Sequence, residues 1–242
     1  MFNKALHTLL IVVAAAAFTA CTEKCNIDGN STVGSLDGRM LYLRIDDGVV
    51  TAANVDSCQV VHGRFRFFSD IDTIVMAQLC MGSERIMPVV LENGDLSVKV
   101  DHVLQRVSGG PLNDRLYRFL QKKNRIENQQ WELDQQAMRM LHEGSTVAEI
   151  KRTIMPKAER LAKELEKLEV KFIRDNFNNP LGAGCFAWLF GQYPHPVLTP
   201  QITKIIDGAP QSFLSNPFVS DYMRRARGTA TPSRDNLHNA GQ

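Results

Sequence analysis

The chain has no Cys-x-x-Cys pair, no P-loop, no Gly-x-Gly-x-x-Gly, no Gly-x-Ser-x-Gly and no His-Glu-x-x-His. Dithiol redox, nucleotide, serine-hydrolase and zinc-protease chemistry therefore lack their local signatures. There is no excess of charge of one sign either. Lys plus Arg count 28 and Asp plus Glu 26, whereas a nucleic-acid binder carries a basic face or stripe. Nucleic acid is not an expected partner, and the locally basic Arg224, Arg225, Arg227 and Arg234 read as a solvated helix end and tail. His62, His102, His142, His195 and His238 form no His-x-His and no Cys/His pair at zinc spacing, so no metal or cofactor is expected. Asp46-Asp47-Gly48 lacks the spacing and closing glutamate of a calcium loop and reads as a turn. No segment approaches the ~20 apolar residues of a membrane-spanning helix.

The amino terminus does carry a signal. Lys4 precedes an apolar run from Leu6 to Phe18, and Phe18-Thr19-Ala20-Cys21 follows with small residues before the cysteine. That order of positive, apolar and small residues is a secretory signal peptide over residues 1–20. The cysteine makes it a lipobox, so Cys21 is the expected lipidation site, although bacterial lipoproteins usually carry Leu where Phe18 stands. The competing reading is ordinary cleavage after Ala20, which leaves Cys21 as a free N-terminal thiol. One acyl chain anchors only marginally, whereas two or three hold a protein stably on a membrane. Cys25, Cys58, Cys80 and Cys185 remain. An exported protein permits disulfides, and both a Cys58–Cys80 bridge across neighbouring strands and two separate buried thiols are open.

Residues 21–30 are polar and read as a tether. From 31 to 110 the pattern predicts a β domain. Leu41, Leu43 and Ile45 alternate with Met40, Tyr42 and Arg44, the period of a half-buried strand. Val55–Val61 is a second strand, and His62-Gly63 a tight hairpin into Arg64–Ser69 with Phe65 and Phe67 inward. Ile74–Met81 and Arg85–Leu91 follow, with Pro88 favouring an edge or a bulge. Asn93-Gly94 is a strong hairpin signal before the alternation of Leu96, Val98 and Val100.

Gly109-Gly110-Pro111 opens a helical region over 111–227, Pro111 fitting the first helical position. Leu112, Leu116, Phe119 and Leu120 share one face of a helix running to about Leu141. Thr146-x-x-Glu149 is a capping box for a second helix with Ile150, Ile154, Leu161, Leu165, Leu168 and Phe172 on one face. Pro156 must kink or divide that helix. Shorter helices are expected at Leu181–Phe190, Pro200–Ile206 and Pro217–Arg225, and a frayed tail over 228–242. The fold class is α+β, an antiparallel sandwich or partly open barrel of about seven to eight strands followed by a long antiparallel helix hairpin.

Gly38-Arg39-Met40-Leu41-Tyr42-Leu43, Val55-Asp56-Ser57-Cys58-Gln59-Val60 and His62-Gly63-Arg64-Phe65-Arg66-Phe67 carry a family resemblance. Pro88-Val89-Val90-Leu91-Glu92-Asn93-Gly94 and Val107-Ser108-Gly109-Gly110-Pro111-Leu112-Asn113 extend it. The chain resembles the family of unknown function found as the N-terminal domain of many lipoprotein thiol–disulfide oxidoreductases of Gram-negative bacteria. The likeness is good over about residues 26–125 and loose up to Pro217. It implies a fold and a compartment, a Gram-negative envelope with the protein periplasmic or surface-facing. In longer members a thioredoxin-like domain with Cys-x-x-Cys follows; without that motif the oxidoreductase activity does not carry over. The resemblance does imply a thioredoxin-like envelope protein as a partner.

The remaining enzymatic pairing is Cys185 with His195, a thiol needing a nearby base or a helix N-terminus to become nucleophilic. Gly182-Ala183-Gly184 before Cys185 would permit close backbone approach there. Against this, Cys185, Phe186, Trp188 and Leu189 read as a buried helix, and Pro194-His195-Pro196 as a rigid loop. The expected function is a lipid-anchored, non-catalytic binding or scaffolding module of the envelope. The alternatives are a docking partner of an envelope thiol–disulfide oxidoreductase and a cryptic thiol enzyme.

Overall fold

A computed structural model describes residues 23–45, 53–191, 193 and 195–229. The expected signal with Cys21, the Asp46-Asp47-Gly48 turn and the tail from residue 230 lie outside the described residues. Eight strands form two four-stranded sheets: β1 (Glu23–Ser31), β2 (Met40–Ile45), β3 (Ala53–Gln59), β4 (Arg64–Ile71), β5 (Val75–Met81), β6 (Glu84–Leu91), β7 (Gly94–Val100) and β8 (Gln105–Ser108). One sheet has the order β4-β1-β7-β8 and the other β3-β2-β5-β6. The sheets face each other as a sandwich without closing into a barrel. Their inner faces follow the period of two: β4 buries Phe65, Phe67 and Ile71 while Arg64 and Arg66 stay exposed.

The tether expected over residues 21–30 is a strand from Glu23 onward. β1 runs antiparallel to β4, from Glu23↔Ile71 to Asn30↔Arg64, and parallel to β7, from Cys25↔Gly94 to Ser31↔Val100. Its buried positions are Cys25, Ile27, Gly29 and Ser31. Apart from Ile27 these are small or weakly apolar residues, which gave the segment its polar look. The parallel β1–β7 pair also makes an otherwise antiparallel sandwich mixed.

Two turns do what their residues require without making the expected ladders. His62 and Gly63 adopt φ of 52° and 72°, which matches a tight reversal with both central residues left-handed. Yet β3 and β4 belong to opposite sheets, joined by the Val61↔Arg64 bridge, the Arg66 backbone against the Cys58 thiol and the Phe68 N–H donated to Asp56 Oδ2 at 3.0 Å. The Asn93-Gly94 hairpin is likewise a corner between sheets, because β7 finds its partners in β1 and β8 rather than β6. Pro88 sits on the edge strand β6, near a register shift at Leu79/Cys80, as its missing N–H demands.

The helices are α1 (Pro111–His142), α2 (Val147–Asp175), α3 (Pro180–Phe190), α4 (Pro200–Ile206), α5 (Gln211–Leu214) and α6 (Pro217–Thr229). Thr146 and Glu149 form the reciprocal capping box, and Asn179, Thr199 and Asn216 accept from the first-turn N–H groups of α3, α4 and α6. Pro156 does not divide α2, which runs 29 residues through it. Its ring lies on an exposed face. Buried side chains of sandwich and helices form one continuous core. At their seam Gly184 of α3 lies so close to Met76 of β5 that an added Cβ would sit 2.7 Å from the sulfur.

Candidate functional site

The sequence's candidate thiol site does not assemble. Cys185 is fully buried, and burial pushes its thiol well above the ordinary range, the opposite of what a nucleophile needs. His195 is exposed. The glycines ahead of Cys185 serve packing, Gly184 against Met76 and Gly182 against the Asn176 carbonyl. Among the described residues Cys58 and Cys80 form no disulfide, nor do Cys25 and Cys185. Their strands are not neighbours, because β2 lies between them, Cys58 opposite Leu41 and Cys80 opposite Tyr42. Two strand spacings, about 9.5 Å, exceed the ~7 Å that a disulfide spans. Burial also raises Cys25 and Cys58 to about 11. Among the described residues no group of three metal-ligating side chains occurs.

Two buried polar clusters join the layers. Glu92, only 3% exposed, accepts from Leu112 N at 3.0 Å, Asn113 N at 2.8 Å and Asn113 Nδ2 at 2.8 Å. Asn113 in turn donates to the Val90 carbonyl and accepts from Val90 N. The N-terminus of α1, whose N-cap Gly110 offers no side chain, is thus capped from the end of β6. Sequence reading looks for caps at adjacent residues and misses one supplied from twenty residues upstream. The second cluster ties α1, α2 and α4. Lys123 Nζ bonds Glu127 at 2.6 Å and Glu169 at 3.0 Å, and Gln201 donates to Glu169 at 2.7 Å. Burial pulls the Lys123 ammonium down, but its bonds to Glu127 and Glu169 prevail and hold it above its ordinary value.

A groove of about 1060 Å³ opens where α1 crosses the sandwich edges formed by β6 and β8. Its lining contains Arg85, Arg106, Arg118, Lys122 and Arg125, with Asp101 the one carboxylate. Asp101 is engaged in its own loop: Val103 N donates to it at 2.8 Å, Leu104 N does so too, and Lys99 lies 3.9 Å away. Those backbone bonds, from Leu104 first and then Val103, hold its carboxyl below the usual range. Arg118, Gln121, Lys122, Arg125 and Asn128 stand at i, i+3, i+4, i+7 and i+10, one exposed face of α1. The opposite face carries the buried Leu116, Phe119 and Leu120. Among the described residues Arg106, Arg118, Lys122 and Arg125 make no ion pair, in contrast to Lys123 next along the helix. In the sequence this stripe is hidden by the near balance of charge over the whole chain, 28 Lys plus Arg against 26 Asp plus Glu.

The architecture defines a class: an eight-stranded sandwich backed by a helical layer, with a cationic groove at the joint. Residues 25–116, from β1 to the first turns of α1, match the model of the family described as Domain of unknown function (DUF4369), the family the sequence resembles. No curated protein and no solved structure matches the chain.

Proposed function

We propose that the protein is a lipid-anchored envelope protein that binds rather than catalyses, with the groove between β6, β8 and α1 as its binding surface. The groove carries this reading. Among the described residues five cations line it against one carboxylate already engaged by its loop, and four of the five make no ion pair. Charge kept open on one face, rather than neutralised from within, selects and steers a partner of opposite sign. The anchor rests on Phe18-Thr19-Ala20-Cys21. Metabolic labelling with a tagged fatty acid tests it: wild-type protein takes up label and Cys21→Ala takes up none. Equal labelling of both proteins refutes the anchor.

A further inference from the structure

We infer that the groove takes an extended acidic peptide segment, a stretch of another envelope protein with carboxylates at alternate residues. This inference rests on the binding role proposed above and specifies its ligand. The unpaired cations of α1, Arg118, Lys122 and Arg125, follow one another at four and three residues, about 6 Å and 4.5 Å along the axis. A compact anion calls for cations that converge on one point, and these are strung in a line. In an extended chain, side chains on one face recur about every 6.8 Å, close to the Arg118–Lys122 step. Arg106, at the start of β8, adds a fourth charge from the facing wall.

The rest of the lining suits polypeptide better than sugar. The groove follows two strand edges, the surface where an extended backbone docks. α1 already covers the C-terminal half of the β6 edge, through Asn113 on Val90 and the Tyr117 hydroxyl donated to the Pro88 carbonyl at 2.7 Å. The N-terminal half, Arg85–Met87, lines the groove. Val103, 97% exposed, and Leu104 offer apolar contact at one end. The two aromatic rings in the lining are poor sugar platforms, since Tyr117 is buried and Trp188 half-buried.

β1 starts at Glu23 and runs parallel to β7, whose far end leads into the Asp101–Leu104 loop. That end of the groove lies nearly the length of β1, about 30 Å, from Glu23.

The experiment titrates the full chain in detergent with hexaglutamate, with hexa-galacturonate and with inorganic phosphate, following binding by calorimetry. Hexaglutamate binds, more tightly than the other two, and weakens as salt is raised. R118E and R125E each weaken it about tenfold or more, while the exposed reversal K151E leaves it unchanged. Circular dichroism verifies that each variant is folded. Failure of hexaglutamate to bind overturns the proposal, as does unaltered affinity in R118E and R125E. Tighter binding of hexa-galacturonate overturns the peptide assignment while leaving a binding module in place. Retained fatty-acid label with no ligand bound separates loss of this proposal from loss of the anchor.

Discussion

The inner and outer halves of the α1–α2 hairpin have similar patterning and unlike surroundings. α1 is 32 residues long, about 48 Å, yet its buried residues end at Ile126. Leu116, Phe119 and Leu120 lie against the continuous core, and Phe119 stacks on Phe172 of α2 at 4.1 Å. Beyond Ile126 the two helices chiefly meet each other, and Trp131, Met138, Leu141, Val147 and Met155 stand exposed. Apart from Ile154, the buried residues of α2 lie at Leu161 and after. An amphipathic stripe therefore says that a helix forms, but not how much of the stripe a fold covers.

Changes at the inner end carry the largest effects. Phe186, fully buried among Phe190, Phe213, Phe218 and Tyr222, anchors the helical layer. Phe186→Ala is expected to cost about 3–5 kcal/mol in denaturant unfolding. Glu92→Ala strips the cap from α1 and leaves the buried Asn113 without one of its acceptors. It is expected to cost about 1–3 kcal/mol, and a loss under 0.5 kcal/mol would show the cap to be idle. Gly110→Ala acts on the same cluster, since its Cβ would meet the Glu92 carboxyl carbon at 2.2 Å.

Lys123→Met breaks the α1–α2–α4 tie and is expected to cost about 1.5–3 kcal/mol. Because the folded pKa of Lys123 is raised, its ionic contribution is complete below the ordinary value near 10.5 and is lost as pH rises through the folded one. The wild-type advantage over Lys123→Met should therefore narrow in strongly alkaline solution. In the outer half, Trp131→Ala and Met138→Ala should change stability by less than about 0.5 kcal/mol. Amide exchange there should be faster than around Leu116 and Ile173; equal protection in both halves would erase the comparison. The smallest effect belongs to the capping box. Hydrogen bonds from Thr146, backbone first and hydroxyl second, hold Glu149 below its ordinary 4.5. That contribution is present above pH 4.5 and fades as pH falls through the lower folded value, read as accelerated exchange at the start of α2.

Local chemistry was legible wherever one residue decides it. Phe65 and Phe67 inward, Pro111 opening α1 and Thr146 with Glu149 all act within a few residues. Strand allocation was not legible, because His62-Gly63 and Asn93-Gly94 specify that the chain reverses and say nothing of which strand it then meets. β1 escaped because Cys25, Gly29 and Ser31 fill inward positions where larger apolar residues would mark a strand. The groove escaped for a different reason. Charge balanced over the whole chain conceals its segregation onto one face of α1, and Arg106 joins that face only through the fold.

β1 has a mechanical consequence. In the proposed anchored protein the sandwich starts two residues after Cys21, with almost no slack between membrane and fold. A partner tugging at the Asp101–Leu104 end of the groove would load β1 along its own axis, with β4 hydrogen-bonded on one side and β7 on the other. Cross-strand bonds lie across that direction, so both ladders share the force at once rather than opening one pair at a time. The strand with the least apolar sequence is then the one that bears the load between bilayer and ligand.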